Sequence, residues 1–179
     1  MPNVMLRPLN MGDLDNMMQW VNDSEIIGNF AVFNKKITRE EEQKFLEKII
    51  ASENDRTFAI ETEFGEYLGN VGINQIHWPS KNGRLAIIIG HKDQHGKGYG
   101  QSAIMEALRV AFEDYKLHKI WLIVFEENRK ARHVYEKCGF KVEGILREEY
   151  WQKGEYHNMV RMSILEDEFY KIKEDEKWN

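Results

Sequence analysis

Several things are scarce in this chain, and each scarcity excludes something. Its 179 residues include one cysteine, Cys138, so there is no internal disulfide and no cysteine-based zinc site. Three prolines are too few for a polyproline segment. No apolar run approaches the roughly 20 residues of a membrane span. The opening MPNVMLRPLNMGDLDNM has no basic-then-apolar leader pattern. Positive charge is not in excess: 25 Lys and Arg stand against 30 Asp and Glu, for a net charge of -5, which argues against a protein that coats nucleic acid. The expectation is a cytoplasmic protein in a reducing compartment, with no nucleic-acid partner and no membrane partner.

What is present suits one folded domain. Apolar residues make up 42% and aromatics 12%, enough for a core, and at about 150 residues per domain the length allows one domain with a short extension. The expected division is a domain over 1–166 and a charged helix or tail over 167–179. Met1–Leu9 alternates as a first strand. MGDLDNMMQWVND reads as a helix with Leu14, Met17, Met18 and Val21 on one face and Asp13 as its cap. In TREE, Thr38 and Glu41 form a capping box, and Phe45, Leu46, Ile49 and Ile50 follow at helical spacing.

After Asn54 the period changes to that of strands. RTFAIET is a strand and EFGE a turn. EYLGNVGINQIHW is a long strand in which Gly69 and Gly72 predict a bulge or a close backbone approach. KNG is a turn and RLAIIIG a buried strand. YGQSAIMEALRVAFEDY is an amphipathic helix striped by Ile104, Leu108, Phe112 and Tyr115. KIWLIVF, apolar throughout, reads as a central strand covered on both faces. NRKARHVYEKCGF is a short helix capped by Asn128 and stopped by Gly139, with Ala131, Val134, Tyr135 and Cys138 inward. Two strands around Lys153-Gly154 follow. The order β-α-α-β-β-β-α-β-α-β-β predicts an α/β (α+β) domain built on a single mixed sheet flanked by helices.

Two segments carry chemistry. Between the strand RLAIIIG and the long helix lies Gln94-His95-Gly96-Lys97-Gly98-Tyr99-Gly100. Alternate glycines let backbone N–H groups point at one spot, and the following helix adds its unpaired N–H groups and positive dipole end, which makes an anion cradle suited to a pyrophosphate. It lacks the spacing of a Walker loop or a dinucleotide fingerprint, and by itself a plain glycine-rich turn accounts for it equally well. The second segment is Asn128-x-x-Ala131-x-x-x-Tyr135-x-x-x-Gly139-Phe140. Helix capping explains Asn128 and Gly139 without a ligand, but not the cradle one strand–helix unit earlier.

Together the two segments resemble the GNAT superfamily of acetyl-CoA-dependent N-acetyltransferases. The likeness covers nearly the whole element order and is closest from Leu85 to Met162. NRKARHVYEKCGFKVEGILREEYWQKGEYHNMVRM resembles the branch that holds spermidine and ribosomal-protein alanine N-acetyltransferases. The resemblance implies the acyl-CoA N-acyltransferase fold, with a splayed sheet, and acetyl-CoA as cosubstrate. It implies that Ile88, Ile89 and Gly90 pair their backbone with the pantetheine amides. It implies that His95, Gly96, Lys97, Gly98, Tyr99, Gly100 and Gln101 hold the pyrophosphate, and that Asn128, Ala131 and Arg132 line the other side of the cofactor. Tyr135 is implied as the acid that protonates the leaving thiolate. A phenol suits that role, since its ordinary pKa of about 10 keeps it protonated at neutral pH. His95 stands where the family usually has Gln or Arg. The base is unassigned among Glu25, Asn74 and Tyr150.

The other reactive residues have ordinary explanations. Cys138 reads as a small buried hydrophobe. His91 and His95 flank a loop and make no metal site. Glu40, Glu41 and Glu42 favour a helix N-terminus. The expected acceptor is a small-molecule primary amine. The alternatives are a peptide N-terminus and a non-enzymatic acetyl-CoA-binding module, and a homo-oligomer, dimer or higher, stays open. Asn29-Phe30-Ala31-Val32-Phe33-Asn34-Lys35-Lys36-Ile37 has no acid and two lysines, and the strand start reads Asn82-Gly83-Arg84. A polycation needs carboxylates, so these segments predict an uncharged or anionic acceptor and poor use of spermine. Glu148 and Glu149 leave room for a basic peptide.

Overall fold

The computed structural model describes residues 1–27 and 36–175. Strands β1 (Val4–Pro8), β2 (Arg56–Thr62), β3 (Tyr67–His77), β4 (Asn82–Ile89), β5 (Lys119–Phe125), β6 (Lys141–Gln152) and β7 (Glu155–Leu165) form one sheet in the order β1-β2-β3-β4-β5-β7-β6. Helices are α1 (Leu14–Trp20), α2 (Ser24–Ile27), α3 (Arg39–Ala51), α4 (Tyr99–Arg109), α5 (Arg129–Lys137) and α6 (Glu166–Asp175). All neighbouring strands are antiparallel except β4 and β5, which are parallel and pair only from Asn82↔Lys119 to Arg84↔Trp121. Beyond Arg84, β4 follows β3 and β5 follows β7, so the sheet opens into a V. No helix among the described residues is long and apolar enough to cross a membrane.

The two faces are covered unequally. On the first, α4, α5 and α6 pack Ala103, Leu108, Phe112, Cys138 and Phe169 onto Val71, Leu85, Leu122 and Met162. On the second, α1 and α3 bury Leu14, Met17, Trp20 and Leu46 against Ala59, and their cluster stops at Ile88 of β4. Trp121 and Ile123, on the second face of β5, remain half-buried. On that second face of KIWLIVF only Phe125 is buried, beneath Tyr150 and His157, because the helix-rich N-terminal half spans just the β1–β4 side.

Local chemistry explains most boundaries. Thr38 accepts from the Glu41 amide while the Glu41 carboxylate accepts from the Thr38 amide, as the capping box predicts. Phe45 and Ile50, expected inward, are 50% and 46% exposed; Leu46 carries the contact with α1. Asp13 does not cap α1. Asn10 caps a preceding 3-10 turn, and Asp13 reaches back to the Asn10 amide and takes two hydrogen bonds from Arg7, at 2.6 and 2.8 Å. The first helix consequently runs only from Leu14 to Trp20, and α2 is separate. In KNG, Lys81 alone turns the chain, at φ 52°, and Asn82 and Gly83 already belong to β4. The long helix keeps its α form only to Arg109 and then widens into a π-helical turn over Val110–Asp114. The closing hairpin turns at Lys153 (φ 52°) and Gly154 (φ 88°), as expected of a tight primed turn. The charged end is helical over Glu166–Asp175, tied to the core by Phe169 and Ile172. Residues 28–35, most of the acid-free stretch, and 176–179 lie outside the described residues.

The candidate active site at the splayed strands

The V between β4 and β5 leaves one edge of β4 unpaired over 85–89, a ladder of amides and carbonyls open to another extended molecule. At the open end of the V the chain passes through a 3-10 turn, Lys92–Gln94, into Gly96 (φ 79°) and Gly98 (φ 93°), and then into α4. Gly98 is the N-cap residue of α4, and no side chain caps that end. The first-turn amides of Tyr99, Gly100 and Gln101 are left without a helical carbonyl. The contrast with α3 and α5, capped by Thr38 and Asn128, marks this end as the one kept open. A side chain at Gly96 would meet nothing within 4 Å, and one at Gly100 only Ile89 Cγ1 at 3.9 Å. The result is a cradle of N–H groups that is open over Gly96 and Gly100, with Pro2 beside Gly98, where a Cβ would stand 3.0 Å from the proline Cδ; the open part fits a pyrophosphate.

Three members of the expected set are turned elsewhere. The Gly90 amide donates to the Leu68 carbonyl at 2.7 Å, so it faces β3 and not the V. A Cβ at Gly90 would stand 2.0 Å from the Trp20 ring, so this glycine is required by packing. The His95 ring nitrogen bonds the Ile89 carbonyl at 2.8 Å and ties the loop back to β4. Lys97 reaches the Gln94 side chain at 3.2 Å. Anion contacts in this loop therefore fall to the backbone.

The opposite wall is α5. Asn128 accepts from the Ala131 amide at 3.1 Å and so starts the helix. Arg132 donates to the Glu126 carbonyl at 3.1 Å, and its Nε is buried with no partner in the structure. The inward face places Tyr135 against Phe140, ring centroids 5.9 Å apart. The Tyr135 hydroxyl makes no hydrogen bond among the described residues. Burial pushes its pKa up to about 12, Cys138 adds to the rise, and the Arg84 guanidinium works against it. Tyr135 thus stands within electrostatic reach of the last paired residue of β4, at the apex of the V. Cys138 is fully buried in the core, where a small hydrophobe was expected.

Of the candidate bases, Asn74 accepts from the Thr57 hydroxyl at 3.2 Å, Tyr150 packs on Phe125, and Glu25 pairs with Lys92 at 2.7 Å. None of these contacts brings them to Tyr135. In the sequence Arg84 entered only as the basic start of its strand, bearing on the acceptor's charge and not as part of the apex, and Trp121 beside it was not singled out. Their only sequence signal was a charge at the start of a buried strand and a tryptophan inside an apolar one. No group of three or more His, Cys, Asp or Glu that could hold a metal occurs among the described residues.

Known proteins share this arrangement. The model of the acetyltransferase (GNAT) domain family matches residues 3–141. Spermidine N(1)-acetyltransferase of Vibrio cholerae serotype O1 is 34% identical over 164 residues, covering 92% of this chain and 94% of the relative. The enzyme of the same name from Escherichia coli K12 is 34% identical over 168 residues, covering 93% and 88%. The crystal structure of the Vibrio cholerae spermidine N-acetyltransferase in complex with CoA and spermine superposes with a TM-score of 0.88 at 32% identity, over 93% of this chain and 98% of that one. With the open cradle, the parted β4 and β5 and this coverage in sequence and structure, the chain belongs to the GNAT acetyltransferase family, enzymes that move an acetyl group from acetyl-CoA to an amine.

Proposed function

We propose that the acceptor is a primary amine of a small molecule, that it attacks the thioester directly in a ternary complex, and that Tyr135 returns the proton to the departing thiolate. The free first-turn amides of α4 carry this reading, since they are a pyrophosphate site beside an open strand edge. An extended pantetheine arm is about as long as four or five residues of strand. Laid along β4 from the cradle after Ile89, it brings the sulfur near Leu85 and Arg84, beneath Tyr135. The backbone of Ile88 and Ile89 pairs with the arm, the amides from Gly96 to Gln101 hold the pyrophosphate, and Ala131 and Arg132 flank it from α5.

The chemistry then balances with few groups. A C–N bond forms, the C–S bond breaks, the thiolate takes a proton from the Tyr135 hydroxyl, and the proton that the amine gives up passes to solvent, from which the phenol is restored. No enzyme nucleophile is needed. A phenol raised by burial stays protonated through neutral pH and is ready to donate. Spermidine is the acceptor named for the two relatives, and their 34% identity favours a polyamine as a second reading.

Two experiments test this. Release of CoA from acetyl-CoA should depend on an added amine, in a panel of polyamines, amino sugars, amino acids and N-terminal peptides. Saturating CoA at about 100 times its Kd should stabilise the protein by about 2.7 kcal/mol, a rise of about 5–10 °C in Tm. Gly98→Val should abolish that rise, because φ 93° is closed to a branched side chain and the cradle would have to rebuild. A flat Tm across the titration of the unaltered protein would overturn the reading.

A further inference from the structure

Arg84 is the last residue of β4 paired with β5, and it lies opposite Trp121 on the sheet face that α1 and α3 leave uncovered. Its guanidinium stands 5.9 Å from the Trp121 ring centroid. Arg161, one strand further, lies over the same ring at 4.2 Å. Lys119 and Arg161 share the Glu143 carboxylate. Arg84 has no such partner: its Nε is buried without a hydrogen bond, and no carboxylate pairs with it among the described residues. A half-buried cation without a counter-charge is costly, and a fold keeps one only where something else neutralises it. Burial pushes the Arg84 pKa down, yet an arginine stays charged.

The position says what can supply that charge. Helices α4 and α5 close the first face of the V and would flank the cofactor arm there. An acceptor can therefore approach the apex only from the second face, past Trp121 and Arg84. We infer that the acceptor amine carries an anionic group, a carboxylate or a phosphate, and that Arg84 binds it at the apex of the V. The inference rests on the acetyl-transfer reading above and narrows its substrate class. Arg84 is the planar, bidentate donor such a group needs, and Trp121 holds it from below.

The test uses matched acceptors with the unaltered protein and acetyl-CoA, read as CoA release. 4-Aminobutyrate and 6-aminohexanoate are set against their amides, glucosamine 6-phosphate against glucosamine, and spermidine and spermine serve as polycations. The first two pairs report a carboxylate and the third a phosphate. In at least one pair the anionic member should be about 10–100-fold better in kcat/KM, and the polyamines should be poor. Arg84→Gln should bring that pair within about threefold, through KM, and Arg84→Lys should restore part of the preference. The CoA-induced rise in Tm should persist in both variants.

Equal use of acid and amide in every pair, or turnover led by spermidine, would overturn this inference while leaving the acetyl-transfer reading intact. A fall in kcat of equal size for all acceptors in Arg84→Gln would also overturn it, since the guanidinium would then serve the leaving sulfur. No CoA release with any amine would overturn the acetyl-transfer reading and this inference with it. Should Arg84→Gln fail to fold, the acid-to-amide ratio of the unaltered protein decides alone.

Discussion

Tyr135→Phe is expected to lower kcat and kcat/KM together by about a hundredfold or more, with KM and CoA affinity nearly unchanged. The substitution keeps the ring, its packing on Phe140 and its place on α5. It removes only a hydroxyl that has no protein partner among the described residues, so no buried group is orphaned and stability should change little. A purely structural tyrosine would leave turnover within about threefold. A variant that folds, binds CoA and works at nearly the original rate would therefore remove Tyr135 from the mechanism. The pH profile adds a second check. A group whose pKa rises to about 12 keeps its proton as pH climbs, so the acid form is complete below that value and lost only above it. The alkaline limb of kcat should accordingly not fall before about pH 10, the ordinary value for a phenol.

Gly69→Ala is expected to be the most damaging single methyl group in the sheet. A Cβ there would stand 2.0 Å from the Ile88 carbonyl oxygen and 2.9 Å from the Ile89 Cα, both backbone atoms that no rotamer change can move. Relief requires β3 and β4 to part at the strand that lines the V. Overpacking of this kind costs about 3 kcal/mol, which at this chain length lowers Tm by about 6–12 °C in thermal denaturation. The surviving folded protein should also show weaker CoA stabilisation, because the free edge of β4 moves with its carbonyl. A Tm within about 2 °C of the original would mean that β4 is looser than its packing shows.

The second glycine of that strand behaves differently, and the difference shows where sequence stops. Gly69 and Gly72 were equal candidates for a bulge or a close approach. In the structure Gly69 meets backbone, whereas a Cβ at Gly72 would meet the side chains of Asn74 and Thr57. The register slips lie at Ile60/Glu61 opposite Gly69 and Tyr67, and between Asn74 and His77. A glycine in a strand states that room is needed; which neighbour takes the room depends on a strand paired from elsewhere in the chain.

The same division holds across the molecule. The sequence by itself determined the features written within a few residues: the Thr38–Glu41 capping box, the Asn128 cap, the Lys153-Gly154 turn and the glycine cradle ahead of α4. Each is a short-range match between a side chain or a φ preference and backbone groups nearby, so spacing alone carries it. The tertiary structure alone decided what depends on distant partners. Asp13 could have capped a helix, but Arg7, brought alongside, claims its carboxylate. KIWLIVF is apolar enough to be covered twice, but α1 and α3 reach only as far as β4. Arg84 and Trp121, 37 positions apart in the chain, meet because a parallel pair of strands lasts three residues and then parts. Hydrophobic burial is non-directional and says only that a residue should be covered; the sheet order and the reach of the helices choose the cover, and so choose the face left open beside the V.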